Sequence, residues 1–206
     1  LMCRNAHAVA LDQGAAVVGP GLGLSRDAHD LLNRALACRL PLVIDADALN
    51  LLADEPPLQH KLAARKAAAI LTPHPLEAAR LLGTDAAHVQ SNRMSVALEL
   101  ARRYRAVAVL KGSGSVIASP DGRIVINDTG NPALATAGSG DVLAGMIGSL
   151  IAQGLSVLEA CKTAVYLHGA AADSLVNRGI GPIGLTASEV AIEARHLINQ
   201  FSQRKA

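Results

Sequence analysis

With 206 residues, half of them hydrophobic, the chain has room for one well-buried domain but not comfortably for two. Its formal net charge of +2, spread over scattered Lys and Arg, leaves no electrostatic footprint for nucleic acid. Tyr104, Tyr166 and Phe201 are the only aromatic side chains, so there is no platform for stacking bases, and the core must be built from Ala, Val, Leu and Ile.

Along the chain, Ala15 to Val18 is a short apolar strand ending at Gly19-Pro20-Gly21-Leu22-Gly23. Ser25 is a natural N-cap for a helix through Ala37, with Ala28, Leu31, Leu32, Ala35 and Leu36 on its apolar face. Leu42 to Asp45 is a second buried strand, running into Asp45-Ala46-Asp47-Ala48-Leu49-Asn50, and Leu58 to Arg65 is a short helix. Ala68 to Thr72 is a third strand, followed by Pro73-His74-Pro75 and a helix carrying Glu77 to Leu82. Ser91 to Tyr104 is helical, and Ala106 to Leu110 is a strand leading into Lys111-Gly112-Ser113-Gly114-Ser115. Val116 to Ala118 and Arg123 to Ile126 flank a hairpin turn at Ser119-Pro120-Asp121-Gly122. After a Gly- and Thr-rich loop, helices are expected at about 139–153, 157–176 and 186–200. Alternating strands and helices with a helical end imply one domain, its parallel sheet covered on both faces.

Cys3, Cys38 and Cys161 are odd in number and form no CxxC pair. They support neither a disulfide frame nor a zinc site and suit free thiols in a reducing cytosol. No apolar run reaches the length of a membrane span and no signal peptide is visible, so a cytoplasmic location is expected. Asn127-Asp128-Thr129 fits the glycosylation pattern but has no meaning in that compartment.

Ligands of such sheets bind beyond the carboxyl ends of the strands, and four strand ends here carry unusual chemistry. Gly19 to Gly23 is either a tight turn or a backbone wall for a flat ligand. Asp45 and Asp47 are either helix caps and salt-bridge partners or weak candidate ligands for Mg²⁺. His74, locked between two prolines, is a candidate ligand contact or a structural hydrogen-bonding group; Glu77 reads as a first-turn helix residue. Lys111 with Gly112, Ser113, Gly114 and Ser115 offers close backbone approach, hydroxyls and a point charge, as a nucleotide requires; the bland alternative is a hairpin entry. Gly179-Ile180-Gly181-Pro182-Ile183-Gly184 matches the dinucleotide fingerprint in letters, but it follows a helix, so the strand–turn–helix mechanism is missing. His168 lies in an apolar helix and reads as a core histidine.

The strongest signal is the loop from Asn127 to Asp141. Gly138, Ser139 and Gly140 bring the backbone to a helix start, where unpaired N–H groups and a partial positive charge receive an anion. Asp141 at that place either stabilises its helix or takes a proton from a hydroxyl attacking a phosphate.

Taken in order, these motifs resemble the ADP- or ATP-dependent NAD(P)H-hydrate dehydratase family of the ribokinase-like superfamily. The matching segments are Gly19–Gly23, Val43–Leu49, Leu71–Pro75 with Glu77, Leu110–Gly112, Gly130-Asn131 and Ala135–Gly145, continuing to Tyr166–Gly169 and Leu185–Glu189. The resemblance implies an α/β fold, a three-layer αβα sandwich with a mostly parallel central sheet, over residues 1–206. It also implies a leading strand–helix section ahead of Gly19 that this chain lacks. The implied reaction returns the hydrated cofactors NADHX and NADPHX to NADH and NADPH through a phosphorylated intermediate. By resemblance, Asp141 is the catalytic base; Gly23, His74 and Asp141 contact the hydrated cofactor. Lys111 to Ser115 and Gly140 contact ADP or ATP, with Mg²⁺ bridging phosphates. The family also implies a homo-oligomer, a tetramer, and fusion to or cooperation with an NAD(P)H-hydrate epimerase. Two alternatives stand beside it: a superfamily kinase acting on a small alcohol such as a vitamin precursor, and an inert nucleotide-binding relic.

Overall fold

The computed structural model describes residue 5 and residues 8–203; Cys3, read above as a free thiol, lies outside the described residues. The elements are β1 (Ala16–Val18), α1 (Arg26–Ala37), β2 (Leu42–Ile44), α2 (Ala46–Asp54), α3 (Pro56–Ala63), β3 (Ala69–Leu71), α4 (Pro75–Leu82), α5 (Ala86–Ser91), α6 (Arg93–Tyr104) and β4 (Val107–Leu110). They continue with β5 (Val116–Ala118), β6 (Ile124–Ile126), α7 (Ser139–Ala152), α8 (Val157–Asn177) and α9 (Ala187–Gln203).

The described strands form one six-stranded sheet in chain order. The pairings from β1 to β4 are parallel, and β4-β5-β6 is an antiparallel meander. Parallel neighbours in chain order need crossovers of one hand, which place the connecting helices on one face. The side chains follow that rule. Leu42, Ile44, Leu71, Ala108 and Leu110 enter one core with α1 to α6, while Val43, Ile70, Val109 and Ile117 enter another with α7 and α8. A third, smaller cluster joins α8 to α9 through Leu175, Leu185 and Val190. The result is the three-layer αβα sandwich with a mostly parallel sheet that the sequence implies.

All six expected strands are present within two residues of their expected ends. Ser25 caps α1 as expected, its side chain accepting from the Ala28 N–H. Two helices were not expected. α2 starts directly on the strand end, and Ala46 reaches it through a positive φ of 47°, a backbone state that sequence gives no reason to assign to alanine. α5 is six residues long and buries only Val89, too short a segment to show a helical period. α3 and α4 begin earlier than expected because Pro56 and Pro75 occupy their first positions, where a missing N–H costs nothing. No helix of the described residues is long and apolar enough to cross a membrane.

Leu100 on α6 is fully buried in the larger core. Leu100→Ala should cost about 2–5 kcal/mol, seen as a lower urea midpoint with an unchanged slope; a loss well below that range would contradict this packing.

Candidate functional site

The carboxyl ends of β2 and β4 meet the N-terminus of α7 through Asp45 and Lys111. Gly138 is the N-cap of α7 at φ 80°, a left-handed state that glycine adopts without strain, and no side chain caps the helix. The Ser139 N–H is bonded to Thr136 O and the Val142 N–H to Gly138 O. Between them, the Gly140 and Asp141 amides have no partner among the described residues. Asp141 is exposed on this first turn, and its carboxylate makes no hydrogen bond or ion pair there. The helix start therefore presents two free donors and one uncommitted carboxylate.

A charge cluster of two buried carboxylates and one half-buried lysine underlies that turn. Lys111 Nζ lies 2.7 Å from Asp45 Oδ1 and 3.9 Å from Glu77 Oε2. Asp45 is 1% exposed, and its second oxygen, Oδ2, has no hydrogen-bond partner. Glu77 is buried and held by a capping box: its Oε2 accepts from the His74 N–H at 2.7 Å, while His74 Nδ1 accepts from the Leu76 and Glu77 amides. A Cβ on Gly140 would stand 3.2 Å from Lys111 Nζ and 3.8 Å from Asp45 Oδ2. The ammonium thus sits directly against the helix start, where a side chain at residue 140 would crowd it.

Gly112 to Ser115 turn away from Lys111 and line a cavity of about 470 Å³ with Thr129, Gly130 and His168. Arg93, at the start of α6, gathers this loop, donating from Nη2 to the carbonyls of Leu110, Lys111 and Gly114. Burial lowers the pKa of this guanidinium from its usual value. Gly112, at φ 142°, leaves it space, since a Cβ there would meet Arg93 Nη1 at 2.9 Å. The opposite wall is pinned to α8 by Asp173, which accepts from the Gly130 N–H and Asn131 Nδ2 at 2.8 Å each.

The structure therefore brings Asp45, Lys111, Gly138, Ser139, Gly140 and Asp141 to one helix start, and sets Gly112 to Ser115 around the adjoining cavity. Lys111 belongs to the first group rather than to that cavity's lining. Gly23 and His74 are engaged locally. The Gly23 amide donates to Asp47 Oδ2 at 2.7 Å, so Asp47 anchors the Gly19–Gly23 loop, and His74 is a helix cap whose partner Glu77 reaches Lys111. Asp45 and Asp47 are thus committed to different partners, as salt bridge and loop anchor, and no group of three or more His, Cys, Asp or Glu among the described residues stands ready for a metal. Gly179 to Gly184 follows α8, not a strand. A larger groove of about 550 Å³ between the β5–β6 hairpin, α8 and α9 shares only Asn127 and Asp128 with the cavity and holds none of the helix-start residues. Sequence reasoning missed Arg93, Asp173 and the burial of Glu77. Only Glu77 had a local signal, its three-residue spacing from a capping His74.

Removing the cation from a buried pair leaves an uncompensated charge. Lys111→Met should destabilise the protein by about 3–5 kcal/mol in urea unfolding, and adding Asp45→Asn should recover part of the loss. A single-variant loss below about 1 kcal/mol, the range of surface pairs, would contradict the burial described.

Comparison with known proteins adds the family. A family model described as NAD(P)H-hydrate dehydratase matches residues 2–192. An ADP-dependent (S)-NAD(P)H-hydrate dehydratase of Neisseria meningitidis is 47% identical over 194 residues, covering 93% of this chain and 65% of that protein. A bifunctional NAD(P)H-hydrate repair enzyme of Coxiella burnetii is 43% identical over 183 residues, covering 89% of this chain and 36% of its own length. The chain therefore spans about two thirds of the first relative and about one third of the second. Among solved structures, the ADP/ATP-dependent NAD(P)H-hydrate dehydratase of Bacillus subtilis, co-crystallised with ATP and Mg²⁺, superimposes with a TM-score of 0.83 at 34% identity, over 95% of this chain and 68% of that one. The three-layer sandwich is the ribokinase-like fold. On this agreement of sequence and fold, the chain belongs to the NAD(P)H-hydrate dehydratase family.

Proposed function

We propose that this chain carries the dehydration of the S forms of NADHX and NADPHX to NADH and NADPH, driven by ADP or ATP. The observation that carries the reading is the start of α7: two unpartnered amides and an uncommitted carboxylate on its first turn, with a half-buried ammonium set against it. A phosphate binder needs the first and last of these; only a site that also moves a proton needs the carboxylate.

In this reading Asp141 takes the proton of the ring hydroxyl, and the hydroxyl oxygen attacks the terminal phosphoryl group of the nucleotide. The Gly140 and Asp141 amides and the Lys111 ammonium face the charge that builds on the phosphoryl oxygens. The bond to the leaving nucleotide breaks, giving AMP from ADP or ADP from ATP. The phosphorylated ring then loses inorganic phosphate from one carbon and a proton from its neighbour, restoring the double bond. Phosphate leaves far more readily than hydroxide, which accounts for nucleotide use in a net loss of water. Gly112 to Ser115 and the Thr129–Asn131 wall would hold the adenosine part, with Gly23 and His74 on the hydrated-cofactor side. The donor set fits Mg²⁺ only as an ion carried mainly by phosphates. Asp45, with its orphaned Oδ2, and Asp141 are the carboxylates at the helix start, and the ion's contribution there is neutralisation of phosphate charge.

Incubation with NADHX and ADP or ATP should restore the NADH absorbance, and Asp141→Asn should lower kcat by about 10²–10⁴-fold with nucleotide affinity nearly unchanged. An Asp141→Asn protein of ordinary activity would overturn the base assignment. Turnover of a small alcohol with none of NADHX would favour the superfamily-kinase alternative.

A further inference from the structure

We propose that His168 is a positioning residue that sets the Gly138–Gly140 turn for the terminal phosphate, acting through Ser139 from the floor of the cavity. The inference rests on the nucleotide reading above and deepens it, because it assigns how the adenosine side and the phosphoryl side of the site are held in register.

The first observation is where the Ser139 hydroxyl goes. A serine at the first position of an anion-binding helix is placed to bond the anion itself. Here Ser139 is only 6% exposed, and its Oγ turns inward to lie 3.2 Å from His168 Nε2. The hydroxyl is used to fix the turn, leaving the backbone amides of Gly140 and Asp141 as the groups that point outward.

The second observation is the state of the ring. His168 is 7% exposed. Burial, with a smaller contribution from the Lys111 charge, pushes its pKa down to about 4 against the opposing effect of a hydrogen bond to the Ser139 backbone. Near neutral pH the imidazole is uncharged, so it adds no second cation beside Lys111 and acts on the phosphate by geometry alone.

The third observation is that α8 cannot shift independently of the cavity wall. A Cβ on Gly169 would collide with Thr129, so helix and loop are in direct contact there. Thr129 Oγ1 donates to the Tyr166 carbonyl at 3.0 Å, and Asp173 holds Gly130 and Asn131. Residues 166, 169 and 173 share one helical face. One stretch of α8 therefore holds the cavity's loop wall with these positions and the anion turn with His168. The helix is a common reference for both halves of a bound nucleotide.

The test compares ATP, with Mg²⁺, against AMP, which lacks the terminal phosphates, in the intact protein. His168→Leu and Ser139→Ala should each weaken ATP binding about tenfold while AMP affinity stays within about twofold, since one lost positioning bond is a modest energy. The double variant should lose no more than either single one, because both remove the same link. His168→Gln, which keeps a polar group of similar reach, should recover part of the loss. Equal weakening of ATP and AMP, additive losses in the double variant, or wild-type ATP affinity in His168→Leu would each overturn the proposal; the first would show mere structural damage. A wild-type protein that shows this ATP pattern but leaves NADHX untouched would defeat the functional reading while this inference stands. One that converts NADHX with the His168→Leu variant equally active would do the reverse.

Discussion

The contact on which the site depends is the ion pair between Lys111 and Asp45. Asp45 follows β2 and Lys111 follows β4, so the 2.7 Å bond closes over the end of β3, whose Pro73 carbonyl accepts the Lys111 amide. Three neighbouring strand ends are tied by one lysine. Burying such a pair is expensive, and an apolar substitute of similar shape is commonly as stable. What an apolar substitute cannot do is place a positive charge against the open end of a helix. Gly140 is the matching half of that arrangement, since a Cβ there would stand 3.2 Å from Lys111 Nζ and crowd the ammonium.

The charges also show how, in the proposed reaction, a carboxylate would work beside phosphates. Asp141 lies on the first turn of α7, where the helix dipole favours its negative charge, and Lys111 supplies a full cation beneath the same turn. Glu77, 3.9 Å from Lys111 and fixed by the His74 cap, adds a second carboxylate around that cation. His74 therefore has a structural task that does not depend on a ligand: it orients Glu77, which faces Lys111. In the same way Asp47 has a local task, anchoring the Gly23 amide. The glycine-rich loops are thus held by buried or half-buried side chains, with ligand-facing backbone left open.

Much of this was legible in the sequence wherever the signal is local. Strands are visible as short apolar runs, α1 by its Ser25 cap, the hairpin by Ser119-Pro120-Asp121-Gly122, and the turn into α7 by Gly138 and Gly140. The links between strand ends were not. Lys111 and Asp45 are 66 residues apart, and nothing in either neighbourhood names the other. The same holds for Arg93, which reads as an ordinary helix-start arginine until the fold lays the Leu110–Gly114 carbonyls against it. His168 was read as a core histidine, and buried it is. Its bond to Ser139, 29 residues away, appears only when α7 and α8 pack side by side. Helix α2 is not legible because its entry uses a positive φ at Ala46, a state that nothing in the sequence assigns to alanine.

The central claim is that a net dehydration proceeds through phosphoryl transfer at the start of α7. The most direct measurement follows the ring oxygen itself. With NADHX carrying ¹⁸O in its ring hydroxyl and unlabelled nucleotide in ordinary water, the account predicts one ¹⁸O atom in each inorganic phosphate released, detected by mass spectrometry. Label appearing in water, with unlabelled phosphate, would contradict it, because the hydroxyl would then have left without ever being phosphorylated.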